Sequence, residues 1–384
     1  MNIAINAAYN PAGGAITQLV NMVRYISSSD DNLNLVIYVN KKTKNLLEEQ
    51  SEIVGTKCEM IVCILPGLSV IFRIPWEQLI LPFLLLSKNI DVLFCPGNIS
   101  PLFTKCKTVT WIGTIGPFYR EFYQNFNLAN RIKLWLNKRL MITSASRSDA
   151  IIFESNFTKN LFIDSYGIKS ERSHVINIGN DTFYKRINNK EYPDLDISFN
   201  RFTPFALCVS HLYPYKNILL MLEAFRKSID NSGSKLNLLI AGSRDYKYYD
   251  RQILNKIDDL SLKENVVLLG SVSKEELRYL YSNCELMVFP SPFENFAYTL
   301  VEAMKCGAPI VCSNTTAMPE TCNNAALYFD PYDINDIALN MCKVLKDETL
   351  RASMSNKSLT RANELPDYSE VTIETLKIIE SQII

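Results

Sequence analysis

The sequence predicts an α/β protein of two domains, each a doubly wound parallel sheet, that face each other across a cleft. Short runs rich in Val, Ile and Leu recur along the chain, and each is followed by a stretch with helical periodicity. This is the pattern of parallel strands that are buried on both faces. The chain has 384 residues, 47% of them hydrophobic, which is more than one core normally holds.

Seven apolar runs predict the strands of the first half, and six predict those of the second. In chain order, the first seven are NIAIN, NLVIYV, CEMIVCI, DVLFCP, TVTWI, AIIFES and HVINI, and the next six are FALCVS, NLLIAG, NVVLLG, LMVFPS, PIVCS and ALYFD. Between the two sets, a polar stretch from residue 182 to 204 loses the periodicity, as a linker does. We therefore predict a first domain over 1–185, a linker over 186–204, a second domain over 205–365 and a final helical segment over 366–384.

Composition and sequence pattern argue against several classes of protein. The 40 basic residues balance the 40 acidic ones, so no global field draws the protein to nucleic acid. The ten cysteines form no CxxC pair, and we interpret them as reduced core residues. The N-terminus enters a strand without the features of a secretory signal, so a cytoplasmic location is expected. Charged residues break the apolar region 61–95 too often for a membrane-spanning helix.

Two carboxylates follow the strand LMVFPS. Glu294 lies on the predicted turn into the next helix, and Glu302 lies eight residues later within it. Eight helical residues span about 12 Å, so the two side chains can hold separate parts of an elongated ligand but cannot share a proton. Taken alone, Glu302 could equally be a surface residue and Glu294 a charge that caps the helix.

The backbone between these carboxylates suits a phosphate. Four amides are predicted to form the first turn of the helix, where free N–H groups and the helix dipole favour an anion. They belong to Phe296, Ala297, Tyr298 and Thr299. A diphosphate flanked by two carboxylates corresponds to a nucleotide sugar.

A second group of polar residues follows the strand FALCVS. The strand ends at Ser210, the turn carries His211 and Lys216, and Asn217 is placed to cap the next helix. Lys216 would then point into the same crevice, neutralise a diphosphate and stabilise the nucleoside diphosphate as it leaves. As an isolated feature it could be a solvated loop charge.

Together these segments resemble the retaining glycosyltransferases of group 1, or family four, which have the GT-B fold. The Glu-x7-Glu signature appears as Glu294 and Glu302, and the first half contributes DAIIFESNFTKNLF and HVINIGND. The other matching motif residues are Pro290, Ser291, Cys306, Gly307, Pro309, Glu320, Ala325, Ala326, Leu327, Asp330 and Pro331.

The resemblance implies transfer of a sugar from a UDP- or GDP-sugar to a glycan or lipid-linked oligosaccharide, in bacterial surface polysaccharide biosynthesis. It implies Glu294 at the hydroxyls of the transferred sugar, Lys216 at the diphosphate and Glu302 at the ribose. Backbone around Val272 would face the base. The first domain is expected to bind the acceptor and the second the nucleotide sugar. No metal or other cofactor is implied, and the final helix is expected to cross back to the first domain.

The glycine pair after the first strand is a further candidate for donor binding. Gly13 and Gly14 suit a loop that must let backbone approach a ligand closely, although a tight turn alone would also explain them. The pair is poor evidence for a nicotinamide-dependent oxidoreductase, because the chain has no G-x-G-x-x-G between a strand and a helix.

The chain departs from the family pattern in two places. His211 aligns with a frequent arginine, so charge compensation at the phosphate would be reduced or pH-dependent. Gly113, Thr114 and Gly116 stand where many relatives have a histidine close to the reacting sugar. A non-catalytic sugar-nucleotide-binding subunit is therefore the alternative function.

Asp194-Leu195-Asp196 spells the DxD that binds metal in another glycosyltransferase fold. It lies in the predicted linker rather than after a strand. No His, Cys and Asp cluster has the spacing of metal ligands either. We therefore predict no metal site.

The stretch from residue 118 to 147 is locally basic and aromatic. It predicts peripheral contact of the first domain with an anionic membrane, at the inner face of the cell membrane. The alternative is an ordinary helix with a solvated basic face. The basic residues are Arg120, Arg131, Lys133, Lys138, Arg139 and Arg147, and the apolar anchors are Phe118, Phe122, Phe126, Leu134, Trp135 and Leu136.

Overall fold

The computed structural model describes residues 1–8, 14–28, 33–50, 58–63, 70–123, 126–187 and 198–383. The chain divides into two compact units. The first comprises Met1–Phe118, Phe126–Gly179 and Pro366–Ile384, and the second comprises Tyr119–Asn125 and Asn180–Leu365.

The first unit is built on a seven-stranded sheet in which neighbouring strands pair in parallel. The strands are β1 (Asn2–Ala7), β2 (Asn34–Val39), β3 (Cys58–Val62), β4 (Val92–Cys95), β5 (Lys107–Ile112), β6 (Ala150–Phe153) and β7 (Ser173–Val175). Their order in the sheet is β3-β2-β1-β4-β5-β6-β7. The order reverses direction between β1 and β4, which is where open sheets of this kind bind ligands.

Helices of the first unit connect these strands. They are α1 (Gly14–Ser28), α2 (Lys41–Gln50), α3 (Val70–Pro75), a π-helical turn (Trp76–Ile80), α4 (Leu81–Ser87), α6 (Leu128–Arg147) and α7 (Asn156–Tyr166), while the short α5 (Arg120–Tyr123) belongs to the second unit. Local signals set their ends. The hydroxyl of Ser155 accepts a hydrogen bond from Thr158 N at the start of α7, and Gly167 ends that helix in the left-handed conformation.

The second unit contains a six-stranded parallel sheet in the order β10-β9-β8-β11-β12-β13. Its strands are β8 (Phe205–Val209), β9 (Asn237–Ala241), β10 (Val266–Gly270), β11 (Leu286–Phe289), β12 (Ile310–Ser313) and β13 (Ala326–Phe329). Its further helices are α8 (Ile218–Ser232), α9 (Lys247–Asp259), α10 (Lys274–Asn283), α11 (Tyr298–Lys305), α12 (Met318–Cys322), α13 (Ile334–Lys346) and α14 (Glu348–Glu364). The prediction of two doubly wound parallel sheets is confirmed.

Hydrophobic burial on both faces of each sheet explains why the apolar runs are continuous. In the first unit, Tyr38 and Leu93 belong to one buried cluster, whereas Phe153 and Phe162 belong to another. In the second unit, Phe225 is fully buried in a large cluster to which β8, β9, α8 and α13 contribute residues. Strands buried on both faces cannot alternate polar and apolar residues, and the sequence runs follow that rule.

The boundary between the units differs from the predicted one. The first unit ends at Gly179 rather than at 185, because the following residues bond to the second unit. Arg278 Nε donates to the carbonyl oxygen of Lys185 at 2.9 Å, and Arg186 Nη1 donates to Ser355 Oγ at 3.2 Å. Of the predicted linker, residues 188–197 lie outside the described residues, and 198–200 are helical.

The final helix α15 (Tyr368–Glu380) belongs to the first unit. It approaches Gly179 so closely that a Cβ on this glycine would lie 2.7 Å from Tyr368 Cα. A glycine at this position therefore permits the helix to pack there. Asp367 starts the helix with a reciprocal capping box to Glu370.

All ten cysteines carry free thiols, and most of them are buried. Their interpretation as core residues is confirmed, since only Cys58 and Cys106 are half-exposed. Within the described ranges, no helix is long and apolar enough to cross a bilayer.

Candidate functional site

The loops after β8 and β11 bring a lysine and a glutamate together in the second unit. Lys216 Nζ lies 2.5 Å from Glu294 Oε1, although the two residues are 78 positions apart in the chain. Both side chains are largely buried, with 14% and 17% of their surface exposed. Since β8 and β11 are neighbours in a parallel sheet, their following loops meet at one edge.

A short helical turn positions Lys216. Residues Pro214–Lys216 form a 3₁₀ turn, and Asn217 adopts the left-handed conformation with φ of 60° before α8 begins. Asn217 occupies the N-cap position of α8, as predicted, but its side chain makes no cap hydrogen bond. Its Nδ2 instead donates to the carbonyl oxygens of Pro290 and Pro331, so the loops after β8, β11 and β13 are tied together.

Threonine side chains from the loop after β12 hold the Glu294 loop. Glu294 N donates to Thr316 Oγ1 at 3.0 Å, and Thr315 Oγ1 donates to the carbonyl oxygen of Pro292 at 2.5 Å. The carboxylate is thus placed by a neighbouring strand's loop and not by a helix. Sequence spacing gave no sign of this support, because it depends on the adjacency of β11 and β12.

The ion pair keeps Lys216 charged. Burial opposes the charged form of the ammonium group, but the adjacent Glu294 carboxylate outweighs burial and raises the pKa of Lys216 above its usual value. A buried ion pair of this kind gains little stability, and loss of one partner leaves an uncompensated charge. Lys216 is therefore a buried cation whose present partner, Glu294, could be replaced by an anionic ligand.

A pocket of about 230 Å³ lies at the carboxyl ends of β8, β9 and β10. Three of the predicted donor-binding residues line it, namely His211, Val272 and Thr299. Ser210, Gly242, Ser243, Ser271 and Leu277 also line it, and sequence reasoning missed them. Each of the first four follows a strand end, which is the signal that could have found them.

Gly242 is required by the close approach of two loops. Its φ is 149°, and a Cβ there would lie 1.9 Å from the carbonyl oxygen of Ser210. No side chain fits without moving that backbone. The glycine therefore permits this close approach of the two loops where they line the pocket.

The helix after β11 begins later than predicted. It starts at Tyr298, so Phe296 and Ala297 precede the first turn, and the N-cap residue Ala297 makes no side-chain cap hydrogen bond. Phe296 is buried and packs edge-on against the Tyr298 ring at 5.8 Å. Of these residues, Thr299 lines the pocket. In the first unit, Gly14 is the first residue of α1, and Gly13 lies outside the described residues.

Glu302 lies one helical turn beyond Thr299 on α11. Tyr281 Oη, from α10, donates a hydrogen bond to Glu302 Oε2 at 3.0 Å. Burial raises the pKa of Glu302 to about 7, and the hydrogen bond from Tyr281 only partly offsets this. Glu294 and Glu302 therefore have separate partners, as two carboxylates that hold different parts of one ligand would need.

Aromatic rings continue from the Lys216 loop. Tyr213, Tyr215 and Phe293 form successive stacked pairs, with centroids 5.9 Å and 5.6 Å apart. Tyr119 stacks on Phe293 at 5.0 Å, and Phe122 packs against Tyr215 at 4.8 Å. The prediction that Phe122 is an anchor of the first domain is thus wrong, because residues 119–125 belong to the second unit.

No group of three or more His, Cys, Asp or Glu that could hold a metal ion occurs in the described part of the chain. Asp194 and Asp196, the discounted DxD pair, lie outside it.

The two parallel-sheet units have the architecture of GT-B glycosyltransferases. A structure of Anabaena Alr3699/HepE in complex with UDP and glucose superposes with a TM-score of 0.77, at 18% identity, over 99% of this chain and 100% of that one. WaaG, a glycosyltransferase involved in lipopolysaccharide biosynthesis, gives a TM-score of 0.75 at 13% identity, over 99% of both chains.

Two family models then match the sequence. Glycosyltransferase Family 4 matches residues 12–182, and Glycosyl transferases group 1 matches residues 197–361. Together these matches cover most of the chain, which therefore belongs to the GT-B-type glycosyltransferases.

Two similar curated proteins are named as mannosyltransferases. O-antigen chain mannosyltransferase B of Escherichia coli is 30% identical over 173 residues, which are 45% of this chain and 44% of that protein. O-antigen chain mannosyltransferase RfbU of Salmonella typhimurium is 30% identical over 195 residues, which are 50% of each. The matched segments thus span half or less of these relatives.

Titration of Glu302 predicts a pH-dependent contribution to stability. Because folding raises its pKa from 4.5 to about 7, its contribution is fully present below pH 4.5 and is lost as the pH rises through 7. Glu302→Gln removes this loss. The free energy of unfolding that the variant gains over wild type should therefore be about 1–3 kcal/mol larger at pH 8 than at pH 5. Urea unfolding at the two pH values measures the difference. Exposed Glu264→Gln is the control, and an equal effect of both substitutions would contradict the assignment.

Proposed function

We propose that this protein transfers a sugar from a nucleotide sugar to a glycan or lipid-linked oligosaccharide acceptor in bacterial surface polysaccharide biosynthesis. The observation that supports it best is the Lys216–Glu294 pair, held at the carboxyl edge of the second sheet by the two further loops that follow β12 and β13. The pocket lined by His211 and Val272 lies at the same edge and suits the nucleoside part of a UDP- or GDP-sugar.

In this proposal the ion pair exchanges partners when the donor binds. The diphosphate takes Lys216, whose raised pKa keeps it cationic, and Glu294 is released to accept hydrogen bonds from sugar hydroxyls. As the bond to the sugar breaks, Lys216 meets the charge that develops on the leaving phosphate. Glu302 holds the ribose, with Tyr281 fixing the orientation of its carboxylate.

The names of the relatives support this class of acceptor and extend the choice of donor. Both mannosyltransferases are named for O-antigen chains. GDP-mannose therefore belongs beside UDP-sugars in a donor screen. Retention of the anomeric configuration is part of the proposal, and NMR of the first-formed product tests it.

A non-catalytic sugar-nucleotide-binding subunit is the second candidate function. The observation in its favour is the glycine at position 113, which supplies no side chain for chemistry. The two candidates differ in one measurement. A binding subunit would be stabilised by a nucleotide sugar without consuming it, whereas an enzyme would release nucleoside diphosphate.

Substitutions at the ion pair should lower turnover strongly. We expect Lys216→Met and Glu294→Gln each to reduce kcat by roughly 10²–10³-fold, because each removes a charge that acts at the reacting centre. Each variant keeps a side chain of similar volume but leaves its partner's charge uncompensated, so thermal unfolding is measured to confirm that it is folded. Release of nucleoside diphosphate is measured beside exposed Lys263→Met and Glu348→Gln as controls. Wild-type turnover in a folded Lys216 or Glu294 variant would remove that residue from the mechanism.

Metal independence is also proposed, because Lys216 and backbone amides would meet the diphosphate. Activity should survive EDTA without loss. The assay compares untreated enzyme, chelated enzyme and chelated enzyme with added Mn²⁺ or Mg²⁺. Loss that the metal restores would show that the reaction needs a divalent ion.

Peripheral membrane contact is a further part of the proposal. An apolar stripe runs along one exposed face of α6 at positions i, i+4, i+7 and i+8, consisting of Leu128, Ile132, Trp135 and Leu136. Leu128 is 72% exposed and Trp135 55%, which is unusual for aliphatic and indole side chains. Exposed Arg139 lies over the Trp135 ring at 5.5 Å and continues the stripe.

Two of the anchors and the basic residues Lys138 and Arg147 are already engaged with other parts of the protein. Arg147 Nη1 donates to the carbonyl oxygen of Leu102 at 3.2 Å. Phe118 packs against Phe162 and Tyr166, and Lys138 Nζ lies 5.1 Å from the centre of the Phe118 ring. Phe122 packs in the second unit, as described above. The surface that could meet a lipid is therefore the α6 stripe with its basic neighbours, each worth about 1 kcal/mol near an anionic bilayer.

Flotation with anionic liposomes tests this surface. Wild type should float at low salt and float less at high salt, while Trp135→Ala with Arg139→Glu should remain at the bottom. Tyr248→Ala, at a residue 69% exposed in the second unit, is the matched control. Equal flotation of the α6 variant and wild type would leave an ordinary solvated helix.

A further inference from the structure

The residues that precede Lys216 and Glu294 in the chain are both aromatic, and their side chains stack on each other. The rings of Tyr215 and Phe293 have centroids 5.6 Å apart and planes that differ by 19°. Phe293 is buried, with 3% of its surface exposed. Because each ring is one residue away from a member of the ion pair, the stack joins the two loops directly beside that pair.

Two further rings cover this stack, and both come from residues 119–125, which follow β5 in the chain but belong to the second unit. Tyr119 lies nearly parallel to Phe293, with 9° between the planes and 5.0 Å between the centroids. Phe122, on α5, packs against Tyr215 at 4.8 Å and edge-on against Phe293 at 6.1 Å. Aromatic pairs at these distances attract each other beyond the area that they bury. The four rings therefore form one aromatic cluster.

The aromatic cluster contacts the ion pair through Tyr215. Lys216 Nζ lies 5.0 Å from the centre of the Tyr215 ring, within the range of a cation–π interaction. A second ring, that of Phe289 at the end of β11, lies 5.9 Å from the same nitrogen. Burial raises the pKa of Tyr215, so its hydroxyl stays protonated and the ring adds no charge beside the pair. The position of Tyr215 therefore bears directly on the position of the ammonium group.

Hydrogen bonds fix the main chain of the two loops but not the whole length of the lysine side chain. Asn217 Nδ2 donates to the carbonyl oxygen of Pro290, and Thr316 Oγ1 accepts from Glu294 N. Lysine has a flexible four-carbon stem, so these bonds alone do not set the position of Lys216 Nζ. Rings packed beside the ammonium group restrict that position and replace water, which strengthens the electrostatic interactions of the pair.

We propose that Tyr119 and Phe122 are positioning residues for the ion pair. They act through Phe293 and Tyr215, whose rings they hold, and so keep Lys216 Nζ where charge develops on the leaving phosphate. A leucine at either position would fill part of the space but would supply no flat surface for the stack. The inference rests on the proposed function for the reaction that the pair serves, whereas the arrangement of the rings can be measured without turnover.

Kinetics of the full chain test the positioning role. Tyr119→Leu and Phe122→Leu should each lower kcat by roughly 10- to 100-fold, because a small displacement of a group at the reacting centre is costly in rate. KM for the nucleotide sugar should change less than kcat, since the charge on the phosphate grows in the transition state. Tyr119→Phe keeps the ring and should stay within about twofold of wild type. Phe199→Leu is the matched control, because it breaks a 5.8 Å stack with Tyr279 in the same unit, before the amino end of β8.

NMR of protein labelled with ¹³C-lysine gives a readout that needs no turnover. The ring current of Tyr215 should displace the ε-CH₂ signal of Lys216 from the position of exposed lysines, and Lys216→Met assigns this signal by its absence. Tyr119→Leu and Phe122→Leu should move the signal toward the exposed position, whereas Tyr119→Phe and Phe199→Leu should leave it unchanged.

The two measurements separate this inference from the proposed function. An unmoved Lys216 signal, or wild-type kcat, in a leucine variant that thermal unfolding shows to be folded refutes the positioning role of that residue. A loss of kcat in Tyr119→Phe equal to that in Tyr119→Leu would assign the effect to the hydroxyl and refute the role of the ring. Failure of the proposed function would instead appear as no release of nucleoside diphosphate from any donor, and the NMR signal would then decide the inference by itself.

Discussion

Parallel pairing of the strands is the constraint on which the rest of the structure depends. Neighbouring strands that run in one direction must be joined by crossovers over a face of the sheet, so both faces are covered and the strands are apolar throughout. The same pairing places all carboxyl ends at one edge. Polar residues far apart in the chain, such as Lys216 and Glu294, therefore meet there without any local motif that joins them.

Charge at that edge is tolerated because it is paired and tied down. The Lys216 ammonium group and the Glu294 carboxylate compensate each other, while Asn217, Thr315 and Thr316 fix the loops that carry them. Rigid supports of this kind lower the cost of ordering a site when a ligand binds. A ligand that carries both anionic and hydroxyl groups could bind each member of the pair, with its anion at Lys216 and its hydroxyl groups at Glu294.

The two units carry different side chains at the carboxyl edges of their sheets. In the second unit the strand-end groups are Lys216 in the loop after β8 and, in the neighbouring pocket, glycine backbone and small hydroxyl side chains. In the first unit they are a carboxylate, an amide and aromatic rings. A Cβ at Gly113 would lie 3.0 Å from Glu154 Oε1, so the glycine leaves room for this buried carboxylate.

The sequence by itself determined the thirteen strands, their parallel class and the glycosyltransferase resemblance, because hydrophobic period and local motifs are properties of short segments. It placed Glu294 and Lys216 after the correct strands. Only the tertiary structure decided what depends on neighbours in space: the side-chain bonds of Asn217, the assignment of residues 119–125 to the second unit, and the bond between Trp111 and Glu154. These contacts join residues that the chain separates, and no local pattern encodes them.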